Sequence, residues 1–265
     1  MTIGNGRRPL AVGHRGNSGL APENTAAAFA QARAAGVDLV ETDVRLSADG
    51  ELFLFHDGTG GRTTNVAEVF PERADAPITS FTAAELRQLD AGSWFGEQFK
   101  GEPVLFLSEL PAAVDFATGV NLEIKAPQDS PGVEAALAAA LAGEAWARLR
   151  QDHQVAVSSF DPGAVTAFAA AAPGIPAWQL VIMVPDAAGL SAIAGRGVQG
   201  IVAEHRFLND AGAAAVRAAG MGLWVYTANT VPDMSRVVGL GVDAVITDYP
   251  GVLKELLDGD LSFPV

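Results

Sequence analysis

The chain has 265 residues, 49% hydrophobic and 18% charged, which allows one large α/β barrel or two small, well-packed domains. Its net charge of −14 argues against a nucleic-acid partner, which demands a basic face, and against stable association with an anionic membrane. The absence of cysteine excludes disulfides, thiolate catalysis and zinc–thiolate sites.

The sequence gives no indication of export or membrane insertion. No stretch reaches the roughly 20 apolar residues that are needed to cross a bilayer. An apolar signal core is also missing, so we expect a cytoplasmic protein.

Short apolar segments alternate with Ala-rich amphipathic segments along the chain. The strand candidates are Leu10–His14, Asp38–Val44, Glu51–His56, Val120–Lys125, Val155–Ser159, Ala177–Val181, Gly200–Ala203, Gly222–Tyr226 and Ala244–Thr247. The helix candidates are Glu23–Ala35, Gly132–Arg150, Pro162–Ala172, Ala187–Ala194, Asp210–Ala219, Pro232–Leu240 and Gly251–Leu257. Repeated strand–helix units predict a parallel sheet covered by helices, and this many units favour a closed barrel. A doubly wound open sheet is the alternative, although no Gly-x-Gly-x-x-Gly turn follows the first strand.

One strand candidate is in excess of the eight that a barrel needs. The four residues between Leu46 and Glu51 are too few for a crossover helix but suit a hairpin. Pairing Leu46 with Glu51 places Glu41 opposite His56, so the hairpin is expected to return His56 to the rim. Which segment lies outside the barrel is left open.

A long insertion, residues 57–118, precedes the next convincing strand. It contains a helical piece, Ala83–Leu89, and an aromatic cluster made by Trp94, Phe95, Phe99 and Phe106. Connections of this length are usually lids or small subdomains. We therefore expect residues 1–265 to form a single domain in which the insertion covers the active-site mouth. The alternative is an apolar patch that plugs one end of the barrel.

Acidic residues recur at strand ends with a spacing that brings them together. Glu41 and Asp43 are two residues apart and share one face of a strand, and Glu123 and Lys125 repeat this spacing. The carboxyl ends of barrel strands form the active-site rim. Three converging carboxylates repel one another unless a divalent cation neutralises them, and oxygen ligands favour Mg²⁺ or Ca²⁺. The alternative is that some carboxylates are exposed or are paired with Arg45 and Lys125.

Two histidines end strands at the same predicted rim. His14 and His56 are each followed by a charged residue, which suits a general base and a general acid. The expected order is His14 as base and His56 as acid. His153 and His205 have no comparable neighbours and are assigned no role.

Two basic residues lie beside these groups. Arg15 can bind phosphate oxygens through two parallel hydrogen bonds, and Lys125 can supply a point charge to the same group. The structural alternative for Arg15 is an ion pair with Glu23 at the start of the first helix, and this pair is compatible with phosphate binding.

Several short motifs occur in a fixed order along the chain. They are His14-Arg15-Gly16, Pro22-Glu23-Asn24-Thr25, Glu41-Thr42-Asp43-Val44, Asp49-Gly50, His56-Asp57, Leu89-Asp90-Ala91-Gly92-Ser93-Trp94-Phe95, Leu122-Glu123-Ile124-Lys125, Ser158-Ser159-Phe160, Thr227-Ala228-Asn229 and Ile246-Thr247-Asp248-Tyr249-Pro250. This ordered set resembles the glycerophosphodiester phosphodiesterase family almost from end to end.

The resemblance implies a distorted (β/α)8 TIM barrel with a small inserted subdomain after the third strand segment. It also implies metal-dependent hydrolysis of a glycerophosphodiester, a small-molecule substrate, to glycerol 3-phosphate and an alcohol. The site residues that it implies are the metal ligands Glu41, Asp43 and Glu123, the acid–base pair His14 and His56, and the phosphate-binding residues Arg15 and Lys125.

One departure from the family pattern bears on substrate binding. The family commonly carries Trp where this chain has Tyr226, and a second aromatic residue occurs at Trp224. We therefore expect Trp224 and Tyr226 to form a modified aromatic wall against the glycerol or the head group.

Other functions remain as alternatives. A lysophospholipase D-type phosphodiesterase would use the same chemistry, and a non-catalytic barrel would only bind glycerophosphodiesters. A sugar isomerase or a Schiff-base aldolase could use the same barrel, but the aldolase needs Lys125 neutral and Glu123 favours the charged amine. The sequence leaves open whether the protein is a homo-oligomer.

Overall fold

The structure is a computed structural model that describes residues 8–152 and 154–259. His153, to which the sequence assigns no role, lies outside these ranges. The strands are β1 (Leu10–Gly13), β2 (Leu39–Leu46), β3 (Leu52–Leu54), β4 (Gly119–Ile124), β5 (Val155–Ser159), β6 (Ala177–Val181), β7 (Gly200–Glu204), β8 (Gly222–Tyr226) and β9 (Ala244–Thr247).

The helices flank these strands and also occur in the insertion. They are α1 (Ala26–Ala34), α2 (Val66–Val69), α3 (Ala83–Leu86), α4 (Leu110–Ala113), α5 (Val133–Ala142), α6 (Ala147–Gln151), α7 (Pro162–Ala171), α8 (Ala187–Ala194), α9 (Asp210–Ala218), α10 (Val231–Gly239) and α11 (Pro250–Asp258). None of the helices in the described ranges combines the length and the apolar character that a bilayer span requires.

Eight parallel strands close into a barrel. Their order is β1-β9-β8-β7-β6-β5-β4-β2, and pairing between β1 and β2 completes the ring. The ninth strand, β3, lies outside the ring and pairs antiparallel with β2. Because β2 is longer than β1, its first half pairs with β1 (Gly13 with Val40) and its second half with β3 (Val44 with Leu54). The predicted barrel is confirmed, and the open sheet is excluded.

The β2–β3 hairpin has a register one residue away from the predicted one. Leu46 pairs with Leu52 instead of Glu51. The reason lies in the turn, where the hydroxyl oxygen of Ser47 accepts a hydrogen bond from the backbone N–H of Glu51 at 2.9 Å. Glu51 therefore belongs to the turn, and the predicted register is wrong.

His56 nevertheless lies at the rim. It belongs to the segment that follows β3, and it lines the cavity at the carboxyl ends of the strands. Arg45, which is buried in β2, donates to the carbonyl of Phe55 at 3.1 Å and to the carbonyl of His56 at 2.7 Å. The predicted pairing of Glu41 with His56 across the hairpin is wrong. Instead, the Arg45 side chain holds the segment that carries His56.

The predicted helix over Gly132–Arg150 is divided in two. α5 ends at Ala142, where Gly143 adopts an extended conformation with φ −65° and ψ 162°. The guanidinium group of Arg150 donates to the carbonyl of Gly143 at 2.7 Å. This bond satisfies a carbonyl at the break, and α6 continues the chain from Ala147.

The barrel interior is a packed core. Trp178 of β6 stacks on Trp224 of β8 with ring centroids 4.3 Å apart, and small and branched side chains of the other strands surround them. Further buried clusters lie between the sheet and the surrounding helices. This packing fills the barrel, so the space for a ligand lies at its carboxyl end.

The insertion has a hydrophobic cluster of its own. Ile78, Phe81 and Leu86 are fully buried there, and they pack with Phe53 of β3 and with Phe106. The predicted helix Ala83–Leu89 is present as the shorter α3. The insertion is therefore an ordered unit rather than a loose loop.

Candidate active site

A cavity of about 200 Å³ opens at the carboxyl ends of the barrel strands. Most of the predicted site residues line it, namely His14, Arg15, Glu41, His56, Glu123, Lys125 and Tyr226. Because these residues come from five strands and their loops, the cavity depends on closure of the barrel.

Three carboxylates form a cluster beside this cavity, and two of them, Glu41 and Glu123, line it. Asp43 of β2 and Glu123 of β4 are partners in the parallel ladder, and Glu41 precedes Asp43 by two residues. Each offers an oxygen atom within 4.8 Å of the others. The relative exposures of Glu41, Asp43 and Glu123 are 4%, 1% and 8%, so water screens their mutual repulsion poorly.

The protonation of the cluster reflects this crowding. Burial, together with the charges of Asp43 and Glu123, raises the pKa of Glu41 well above its usual range. Burial and the charge of Asp43 raise the pKa of Glu123 to about 7. Burial also acts on Asp43, but the charges of Arg15 and Lys125 outweigh it and hold the pKa of Asp43 below its usual value.

These carboxylates are a suitable ligand set for a hard dication. They offer only oxygen atoms, which Mg²⁺ and Ca²⁺ prefer, and the raised pKa values of Glu41 and Glu123 reflect burial and mutual repulsion that a cation would offset. Glu41, Asp43 and Glu123 could therefore hold a divalent cation, whose charge would remove the cost of burying them ionised.

A tight turn after β1 directs main-chain groups toward this cluster. Arg15 has a φ of 52°, and its backbone N–H donates to Oε2 of Glu41 at 3.0 Å. Gly16 follows with a φ of 89°, and a Cβ atom there would lie 2.7 Å from the backbone of Ala28. Only glycine fits this approach to α1 without displacement.

The side chains of Arg15 and Lys125 place positive charge on the cavity wall. Arg15 donates through Nη1 to Glu23 at 2.9 Å, and its Nε atom lies 3.4 Å from Oδ2 of Asp43. The predicted Arg15–Glu23 pair is therefore present. Lys125 Nζ lies 2.9 Å from Glu123 and 3.4 Å from Asp43.

The state of Lys125 argues against Schiff-base chemistry. Burial lowers the pKa of its ammonium group. The negative charges of Asp43 and Glu123 have a larger effect in the opposite direction, so the pKa is raised overall. A charged ammonium group is not a nucleophile. Lys125 is suited to binding an anion.

His14 is oriented by a carboxylate on the last strand's loop. Its Nδ1 atom lies 2.6 Å from Oδ1 of Asp248, and its Nε2 atom lies 3.9 Å from Oε2 of Glu41. Asp248 also accepts hydrogen bonds from Ser18 at 3.0 Å and from Asn229 at 2.5 Å. The neutral side chains of Ser18 and Asn229 thus hold the Asp248 carboxylate in place beside His14.

His56 also has a carboxylate partner, but this carboxylate is paired with an arginine. Its Nδ1 atom lies 2.7 Å from Oδ1 of Asp57, and Arg62 donates to both oxygens of that carboxylate. These bonds to Arg62 are the main reason that the pKa of Asp57 falls to about 2. Burial, with the charges of Arg15 and Lys125, lowers the pKa of His56.

The aromatic wall differs from the predicted one. Tyr226 lines the cavity, donates its hydroxyl to the carbonyl of Val181 at 3.2 Å, and meets Phe160 edge to face. Trp224 is 1% exposed and stacks on Trp178, so the structure does not bring it to the cavity. Phe160 and Tyr226 form the wall instead.

Sequence reasoning missed the groups that orient the histidines. Asp248 follows β9, which neighbours β1, and this position at a strand end was an available signal. Asp57 directly follows His56 but was given no role of its own. Arg62 lies within the insertion, and no pattern in the sequence points to its contacts. His205 is bonded by Arg236 and is not among the residues that line the cavity.

The chain is similar in sequence to known phosphodiesterases. A sequence model of the Glycerophosphoryl diester phosphodiesterase family matches residues 14–252. A glycerophosphodiester phosphodiesterase of Caldanaerobacter subterraneus subsp. tengcongensis is 33% identical over 94% of this chain and 98% of its own. One of Bacillus subtilis is 30% identical over 95% of this chain and 87% of its own.

A solved structure also resembles this chain closely. It is an Oleispira antarctica phosphodiesterase in complex with the product sn-glycerol-3-phosphate, with a TM-score of 0.85 and 31% sequence identity. The match covers 94% of this chain and 97% of the Oleispira chain. The similarity therefore includes both the barrel and its insertion.

Proposed function

The chain belongs to the glycerophosphoryl diester phosphodiesterase family and is a phosphodiesterase, and we propose that it hydrolyses glycerophosphodiesters to glycerol 3-phosphate and an alcohol. One observation carries this proposal: two imidazoles, two cationic side chains and two members of a cluster of three buried carboxylates line one cavity. The glycerol 3-phosphate bound to the Oleispira relative supports the same substrate class.

Substrate binding follows from the charges. Glu41, Asp43 and Glu123 would hold a divalent cation, Mg²⁺ or Ca²⁺. Such a cation, when bound, neutralises the cluster and stabilises negative charge on a phosphoryl oxygen. Arg15 and Lys125 bind the remaining phosphoryl oxygens and stabilise the charge that develops in the transition state.

Proton transfer falls to His14 and His56, which are held through Nδ1 and keep Nε2 for the substrate. A base must be neutral before reaction, and the lowered pKa of His56 supports that role. His14, whose Nδ1 is held by Asp248 at 2.6 Å, takes the remaining role of acid. This order is the reverse of the one expected from the sequence.

Two routes fit these roles. His56 can activate a water molecule, or it can activate the neighbouring hydroxyl of the glycerol to give a transient cyclic phosphate. In both routes His14 donates a proton to the departing alkoxide. Single-turnover reaction in ¹⁸O-labelled water, with trapping of the cyclic species, separates the two routes.

The primary test is turnover of glycerophosphocholine, followed as released glycerol 3-phosphate. Hydrolysis supports the proposal. A protein that binds glycerophosphocholine and does not hydrolyse it would instead be a non-catalytic barrel.

A second candidate substrate is a lysophospholipid. Phe160 follows β5, and Ile182 and Met183 follow β6, with relative exposures of 44%, 56% and 64%. Tyr226 connects them to the cavity, because its ring meets Phe160 and its hydroxyl bonds Val181. An acyl chain that leaves the cavity along these side chains would be partly removed from water.

A further inference from the structure

Besides Asp57, the insertion contributes the charged side chain of Arg62 to the surroundings of His56. Arg62 follows Asp57 by five residues and points back toward the barrel. Resting on the proposed function, we infer that Arg62 is a positioning residue, which fixes the His56 imidazole by joining Asp57 to Glu23.

Arg62 makes two forked ion pairs at once. Its Nε and Nη2 atoms donate to Asp57 at 2.6 and 3.0 Å, and its Nη1 and Nη2 atoms donate to Glu23 at 2.8 and 2.7 Å. Forked pairs restrict direction as well as distance, because the guanidinium group is planar. Asp57 is thereby fixed relative to Glu23.

Both ends of this arrangement are attached to the site. Asp57 accepts from Nδ1 of His56 at 2.7 Å, which leaves one carboxylate between Arg62 and the imidazole. Glu23 precedes α1 and also accepts from Arg15 at 2.9 Å. Arg62 therefore fixes the position of the His56 imidazole relative to Glu23 and the start of α1.

The charges support the same assignment. Glu23, His56 and Asp57 present ligand atoms within 4.8 Å of one another, a spacing that a metal ion could use. Arg62 pairs with both of these carboxylates, and Glu23 also pairs with Arg15. Removing it would leave Asp57 and Glu23 to repel each other beside His56.

The backbone around Arg62 does not depend on its side chain. Thr63 is buried, and Thr64 donates through its hydroxyl to the carbonyl of Gly60 at 2.8 Å. Val66 is part of the insertion's hydrophobic cluster. Arg62 itself is 46% exposed in its side chain, so its replacement should leave the fold intact.

The test compares Arg62→Ala with Arg73→Ala. Arg73 lies in the same insertion, pairs with Glu85 at 2.6 Å, and covers the ring of Phe81 at 4.0 Å, away from His56. Both variants should keep a melting temperature within about 4 °C of the wild type. Arg62→Ala should lower kcat on glycerophosphocholine about 10- to 100-fold, whereas Arg73→Ala should change it less than about twofold.

Two further variants distinguish positioning from a general structural role. Arg62→Lys keeps the charge but cannot form both forks, so it should recover only part of the lost kcat. In a His56→Ala background, Arg62→Ala should cost less than about threefold, because its effect acts through His56.

Two results would overturn the inference: wild-type kcat in folded Arg62→Ala, or an undiminished loss in the His56→Ala background. Wild-type protein that does not hydrolyse glycerophosphocholine would instead refute the proposed function, and this measurement comes first.

Discussion

The Nε2 atom of His14 faces Oε2 of Glu41 at 3.9 Å, beyond hydrogen-bonding distance. The two side chains lie close together because His14 follows β1, Glu41 lies on β2, and β1 pairs with β2 where the barrel closes. Asp248 fixes the opposite nitrogen of the imidazole. The imidazole that we propose as a proton donor thus borders the acidic cluster without a hydrogen bond to it.

The proposed roles of the two histidines predict different sensitivities to the leaving group. His14→Ala should lower kcat on alkyl diesters by about two to four orders of magnitude, because their alkoxide needs a proton. A nitrophenyl ester, whose leaving group needs none, should lose much less. Steady-state kinetics with both substrates measure the contrast.

His56→Ala provides the comparison for that experiment. A base activates the nucleophile for every ester, so this variant should lose similar activity on both substrates. The opposite pattern, with His56→Ala sparing the nitrophenyl ester, would restore the order expected from the sequence.

The acidic cluster predicts the effect of neutralising one ligand. Glu123→Gln removes a charge from the cluster and should weaken Mg²⁺ or Ca²⁺ binding at least about tenfold, as measured by calorimetry. Glu51→Gln is the matched control, because Glu51 is exposed in the β2–β3 turn. Equal affinities in both variants would remove Glu123 from the cation site.

The same cluster predicts proton release on cation binding. Since the pKa of Glu123 is raised to about 7 and that of Glu41 is also raised, part of the cluster is protonated at pH 7. Binding a cation requires the ionised forms, so it should release about half a proton or more.

Calorimetry at pH 7 in two buffers of different ionisation enthalpy counts these protons. The apparent affinity should also fall as the pH decreases from 7 to 5, because protons then compete more strongly. Cation binding without proton release, and with constant affinity over this range, would contradict the raised pKa values.

The exposed apolar residues beside the cavity predict acceptance of a short acyl chain. Lysophosphatidylcholine with an eight-carbon chain, used below its critical micelle concentration, should be hydrolysed. Replacing Ile182 and Met183 together by Ser should lower kcat/KM for this substrate about tenfold and leave glycerophosphocholine unaffected. Phe116→Ser, an exposed apolar residue just before β4, is the control.

Failure of this prediction has a distinct signature. A protein that hydrolyses glycerophosphocholine but not the lysophospholipid would rule out the second candidate substrate. Hydrolysis of glycerophosphodiesters would then remain the proposed function.

The position of the candidate active site could be predicted because it depends on strand ends. Glu41 and Asp43 share a face by their spacing, and Glu123 joins them because β2 and β4 are neighbours in the barrel. Periodicity and strand counting were sufficient for these positions. The same reasoning failed for Trp224, since strand alternation does not show how far along the barrel axis a side chain lies.

Other features depend on individual side-chain contacts. The hydroxyl of Ser47 shifts the hairpin register by one residue, and the Arg45 side chain then holds the segment that carries His56. Arg62 reaches Glu23 over 39 residues of sequence. Such long-range polar contacts leave no periodic pattern, so they become visible only in three dimensions.

The central claim is that the cluster of Glu41, Asp43 and Glu123 holds a dication that phosphodiester hydrolysis requires. The most direct measurement is release of glycerol 3-phosphate from glycerophosphocholine by exhaustively EDTA-treated protein, before and after Mg²⁺ or Ca²⁺ is added. We expect activity to be lost on chelation and restored by one of these cations. Full activity in the chelated protein would contradict the claim.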